Sequence, residues 1–164
     1  MGFFLYLLFL PIGLLISVGF YVVSSISLYT LAQRRYIQHP YLAWIPFARE
    51  YLFAEIIGSE LKVGDKTILY FPWVYVGALY GSGIITGIVA LIPFLGPLLA
   101  FLCGIFISVG VVYVNYRFYK LFEGGNEVLF TIFSYIVPVT GPFFLLYLRN
   151  HPFVQDNNYT NYAV

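Results

Sequence analysis

Apolar positions fill the chain in long blocks, and charged positions occupy the gaps between them. Residues 1–33 contain no Asp, Glu, Lys or Arg, residues 34–66 are rich in charge, and residues 67–116 are again free of it. Arg117, Lys120, Glu123 and Glu127 follow, and residues 128–148 form a last uncharged block. A hydrocarbon layer of ~30 Å is crossed by about 20 helical residues, so the block from 67 to 116 holds two crossings. The break between them falls at Pro93, Gly96 and Pro97, where proline and glycine favour a tight turn. The pattern predicts an all-α fold, a four-transmembrane-helix bundle with spans at about 3–31, 67–92, 97–116 and 128–148. These form one membrane domain over 1–148, followed by a polar tail over 149–164.

The segment 39–58, HPYLAWIPFAREYLFAEIIG, fits neither block type. It is too apolar for an ordinary loop, and Arg49, Glu50 and Glu55 make it a poor span. Pro46 suits a first helical turn, where its missing N–H costs nothing, and Gly58 suits a helix end. The expectation is a cytoplasmic interfacial helix over about 46–58, between the first and second spans, with Trp44 as its interfacial anchor. At 100° per residue, Arg49, Glu50 and Glu55 scatter around such a helix instead of sharing one face. No acid–base pair has the three- or four-residue spacing that would satisfy it locally. The helix is therefore expected to wedge among the span ends. Arg34, Arg35, Arg117 and Lys120 are candidate partners for the glutamates, and Glu123 or Glu127 for Arg49. This polar cluster reads either as a structural latch or as a ligand or proton site.

Composition agrees with the membrane reading. The chain has 164 residues, 61% hydrophobic and 9% charged, against about 25% charged in soluble domains. A formal net charge of +1 supplies no basic face for nucleic acid. The lone Cys103 excludes an intrachain disulfide. The first block lacks a basic leader and outruns a signal peptide's apolar region, so it is expected to stay as a span.

Orientation follows from lysine and arginine. The 34–66 connection carries five, the 117–127 connection two, and the 93–97 turn none. The positive-inside rule places the first two in the cytoplasm and the N-terminus outside. Four crossings then put the tail outside, with Arg149 on the less favoured side. Pro138, Gly141 and Pro142 interrupt the last block. A chain turning back there would carry the tail to the cytoplasm, but the two halves would be short, so a kinked helix is expected. The Pro-x-x-Gly-Pro pattern at 93–97 and 138–142 reads as recurrent turn chemistry, since the flanking sequences share little.

Helices in lipid associate by close contact, which small residues four apart provide. Gly77 and Gly81 in the second span, and Ala100, Gly104 and Ser108 in the third, form such stripes. They are expected to join helices within the chain, or else between chains. Tyr113, Tyr116 and Tyr119 fall where aromatic side chains settle at headgroup depth.

Catalytic chemistry is sparse. No H-E-x-x-H, G-x-S-x-G or phosphate-binding glycine loop occurs. His39 and His151 fall on opposite membrane sides in the four-span topology, so they cannot share a metal. Glu50 and Glu55 point about 140° apart on a helix, the wrong geometry for flanking one bond. Asn158, Tyr159 and Thr160 match a glycosylation sequon in the polar tail. No enzyme activity, cofactor or metal is expected.

Two stretches, LYTLAQRRYIQHPYLAWIPFAREYLFAEIIG and FYKLFEGGNEVLFTIFSYIVPVTGPFFLLYLRN, resemble a family of small bacterial polytopic membrane proteins. There a basic Arg-Arg or Lys-Arg turn precedes a P-x-L-A-W-I-P segment, and N-x-V-L-F leads into P-F-F-L and Arg-Asn. Matched positions include Arg34, Arg35, Pro40, Trp44, Pro46, Asn126, Phe130, Pro142, Phe144, Arg149 and Asn150. Relatives carry a longer hydrophilic insert after the Trp segment, which is short here. The resemblance implies a polytopic fold and a bacterial inner-membrane setting, without a chemistry. The expected function is that of a non-catalytic accessory, regulatory or immunity-type protein acting through helix–helix contacts. Its partners would be the lipid bilayer and another membrane protein or a homo-oligomer. The alternatives are a small oligomeric transporter or channel component, motivated by broken helices, and an enzyme using Glu50 or Glu55.

Overall fold

A computed structural model describes residues 2–63, 65–93, 95–122 and 126–154, with side chains in the first helix described from Phe9 onward. Three helices are long and apolar enough to cross a membrane: α1 (Gly2–Arg34), α3 (Phe71–Ala90) and α4 (Gly96–Tyr119). At 1.5 Å per residue, the 20 residues of α3 and 24 of α4 reach about 30 and 36 Å.

α1 ends where the chain needs to turn. Tyr36 takes a left-handed φ of 57°, its N–H bonds the Gln33 carbonyl, and the Ile37 N–H bonds the Ala32 carbonyl. Those two bonds form a Schellman cap, a conformation usually given to glycine. The chain then runs back along α1 through a 3-10 turn (Pro40–Trp44) into α2 (Ala48–Ile57). The Tyr21 hydroxyl donates to the Trp44 carbonyl at 2.7 Å, and Arg35 donates to the Ile56 carbonyl at 2.6 Å. These two contacts fix the path: α2 starts beside the middle of α1 and climbs back to its charged end. Gly58, at φ 146°, stops it.

A helix was expected at 46–58, and α2 occupies most of that range. Pro46 stays outside it because Ile45 is extended. An antiparallel pair, β1 (Leu61–Val63) and β2 (Lys66–Ile68), follows with Lys62 opposite Thr67. It delays the next helix from the expected residue 67 to Phe71. Tyr70, at φ 53°, makes the corner.

The expected fourth span is corrected. The interval 128–148 holds two helices, α5 (Glu127–Ile136) and α6 (Thr140–Leu148). With 10 and 9 residues they reach only about 15 and 14 Å, half a hydrocarbon layer. They fold back on one another: the Phe130 ring lies 4.6 Å from Phe144 and 6.2 Å from Tyr147. In one continuous helix, 130 and 147 would be about 25 Å apart. Pro138 removes a backbone donor at the turn, and Thr140 closes it by donating to the Val137 carbonyl.

The described part of the tail, 149–154, moves with it, while residues 155–164 lie outside the described residues. Arg149 accepts a hydrogen bond from Arg34 at its carbonyl, and the Val154 N–H donates to the Leu121 carbonyl at 2.8 Å. Residues 149–154 therefore lie at the same end of the molecule as the ends of α1 and α4, not at the opposite end. We call this the basic end.

The core gathers there. Leu28, Leu31, Leu52, Ile56, Phe118, Tyr119, Phe122 and Leu148 are buried together, and Phe53 stacks on Phe118 at 4.4 Å. α1 packs on the 3-10 turn, α2 and α6, while α3 packs on α2 and α4. The short elements thus bind the long ones together. Away from the basic end, residues 9–19 of α1 are exposed on every face.

Candidate functional site

The return path of 37–57 carries charge to an unexpected depth. Arg49 Nη2 donates to Ser24 Oγ at 3.1 Å, and the guanidinium lies 5.3 Å from the centre of the Tyr21 ring. Ser24 precedes Arg34 by ten residues, which is about 15 Å along α1. A second ruler agrees. Phe47 meets Tyr80 at 5.4 Å between rings, and Tyr80 lies nine residues into α3, about 14 Å from its start. The N-terminus of α2 therefore sits about half a hydrocarbon layer below the basic end. Its other end, at Ile56, lies beside Arg35 at the basic end. Trp44, the expected interfacial anchor, lies at the deep end beside Tyr21. Trp73, against Tyr51 at 4.9 Å near the start of α3, occupies the shallow position instead.

The expected partners of the charges are largely replaced. Arg49 Nε approaches Glu50 Oε1 at 3.8 Å, yet that nitrogen is buried without a hydrogen bond. Of its proposed acidic partners, Glu123 lies outside the described residues, and Glu127 begins α5. Glu50 is partly buried, its side chain 31% exposed. Burial pushes its carboxyl above the usual glutamate range, and the Arg49 charge opposes that shift. Glu55, further up α2, is raised by burial and lowered by His39. Tyr51 between them is raised by burial and by Glu55.

Arg34 and Arg35 belong to a separate cluster. Their guanidinium carbons lie 5.1 and 4.4 Å from the centre of the Phe153 ring, which also meets Phe122 at 4.9 Å. Cation–π contact, the Arg34 hydrogen bond to the Arg149 carbonyl and the Val154 N–H bond to the Leu121 carbonyl hold residues 149–154 here. Arg117 and Lys120 close α4, with Lys120 over Tyr116 at 5.9 Å. The seven residues expected as one polar cluster thus divide among the depth of α2, its upper end, the tail clasp and the end of α4.

Spacing alone had pointed to Gly77, Gly81 and Gly104 as packing positions. A Cβ added at any of them would meet no atom within 4 Å, so none is a close contact within the chain. Ala100 and Ser108 are partly buried on α4.

Several site residues escaped the sequence reading: Tyr21, Ser24, Tyr75, Tyr80 and Phe153. The signal for the first two was a polar cluster inside an apolar block, Ser24, Ser25 and Ser27, all now buried. His151 joins the basic end, so the opposite-sides argument for the histidines does not hold. No group of three or more metal-ligating side chains occurs among the described residues.

Three helices long and apolar enough to cross a membrane suggest a membrane location. No family model matches the chain, and comparison with curated proteins and with solved structures gives no match.

Proposed function

We propose that the chain is a non-catalytic membrane protein that acts by receiving a membrane helix of another protein against the half of the molecule away from the basic end. The observation that carries this reading is the exposure of residues 9–19 of α1 on every face, together with the open space around the glycines within α3 and α4. Small residues allow close backbone approach, the main source of helix association in lipid. The accessory, regulatory and immunity-type roles all share this mode. The basic end faces the cytoplasm in this reading, the 91–95 turn faces outside, and the tail is cytoplasmic.

Photo-crosslinking amino acids placed singly at Leu15 and Gly81 in intact membranes test it. The expected outcome is one discrete protein adduct of constant mass from both positions, lost when Gly77→Leu is added. Adducts to lipid alone from both positions overturn it.

One observation favours a second reading, a small transporter or channel component. α2 and α6 are half-length helices whose N-termini both lie deep, the geometry of broken-helix transport sites. Ion or solute flux into vesicles holding the purified chain alone is its signature.

A further inference from the structure

We propose that Glu50 is a proton-binding site inside the hydrocarbon layer, open to it from the side and read by Arg49. The site requires α1 and α3 to cross a membrane and is independent of any partner.

Position comes first. Two separate rulers, Ser24 on α1 and Tyr80 on α3, put the N-terminus of α2 about 14–15 Å below the basic end. Glu50 lies between that level and Tyr51, which meets Trp73 about 3 Å along α3. A carboxylate within that part of the layer either finds strong donors or takes a proton. The groups that face it are few. On α2 there is Arg49, whose guanidinium is committed to Ser24 Oγ and the Tyr21 ring of α1 and offers Glu50 only a 3.8 Å approach from Nε. From α3, Tyr75 and Tyr80 bear on Glu50 electrostatically as phenols. α4 meets α2 through the Phe53–Phe118 stack, an apolar contact. One long ion contact is a poor substitute for hydration, which agrees with a carboxyl shifted upward by burial.

Access comes second. Glu50 keeps 31% of its side chain exposed, and Phe47, three residues before it, is exposed and apolar, as is Trp73 against the next residue, Tyr51. The opening therefore faces lipid. A proton on Glu50 leaves the buried pair with the +1 charge of Arg49, and its loss makes the pair neutral. Occupancy thus changes the net charge at the buried end of α2, where the 3-10 turn and α1 are joined.

A lipid-soluble carbodiimide, dicyclohexylcarbodiimide, reports on such a group. The protonated carboxyl adds across one C=N bond, its oxygen to carbon and its proton to nitrogen. An acyl shift from oxygen to nitrogen then leaves a stable N-acylurea, with nothing released. The full-length protein in lipid vesicles is treated across a pH series, and adducts are located by peptide mass spectrometry. The expected result is modification at Glu50, falling about tenfold per pH unit once the carboxyl ionises. A water-soluble carbodiimide should modify exposed Glu60 and spare Glu50. Folding can be tracked in parallel without a variant. The folded-state pKa is raised, so the stabilisation it brings is complete below the ordinary glutamate range and declines as pH rises through the folded value. Glu50→Gln should remove the adduct and flatten its part of that decline. Absence of Glu50 labelling at every pH, labelling independent of pH, or equal labelling by the water-soluble reagent overturns the proposal.

Discussion

Gly96 shows what one missing methyl group permits. A Cβ there would lie 2.6 Å from the Val89 carbonyl oxygen and 2.9 Å from that of Ala90, so the turn from α3 to α4 closes only over a bare backbone. Gly96→Ala should destabilise the protein by about 1–3 kcal/mol, the range for forced overpacking. Gly104→Ala, with open space around it, should instead gain up to about 1 kcal/mol of helix propensity. Thermal unfolding in detergent followed by circular dichroism checks the pair, and equal effects would contradict the geometry. The turn itself was legible from Pro93, Gly96 and Pro97. Which glycines touch a neighbour was not, because four-residue spacing describes a face and not what lies against it.

At the scale of elements, the two segments that tuck back from the basic end are the two stretches that carried the family resemblance. One is the 3-10 turn with α2, which lies against α1, and the other is the α5–α6 pair, which meets α1 through α6. The hairpin makes a direct prediction. In a Cys103→Ser background, Lys62→Cys and Val154→Cys should react with a membrane-impermeant maleimide added from the same side of sealed vesicles. Reaction from opposite sides would mean that 128–148 crosses. The sequence held a clue to this outcome. A fourth crossing left Arg149 on the side that lysine and arginine avoid, and the hairpin returns it to Arg34. Apolar length could not decide between one span and two halves, because both bury the same residues. The depth of α2 was hidden for a related reason. Scattered charges implied tertiary partners, yet those partners, Ser24 and Tyr21, are uncharged residues of the preceding helix.

For the whole molecule, packing is uneven along the length of the long helices. Phe118, fully buried, stacks on Phe53 and meets Tyr119 and Phe122, whereas Phe106 on the same helix is 84% exposed. Phe118→Ala should cost about 3–5 kcal/mol, as large core truncations do. Phe106→Ala should stay within about 0.5 kcal/mol, as exposed positions do. Urea or heat titration of both variants tests whether stability is concentrated at the basic end. Comparable losses would mean that the far half is packed as well.

The turn between α3 and α4 has a bearing on biogenesis. Among the described connections it is the one that joins two span-length helices away from the basic end, and it contains no charged residue. Seating that helical pair in a bilayer from the basic side would translocate a few apolar residues and no ionic group. Each lysine or arginine carried to the centre of a span would cost about 2.5–3.5 kcal/mol. The hydrophilic parts of the described chain can stay on the side where insertion begins, so the pair could enter as a preformed hairpin, with the shorter elements closing in behind it.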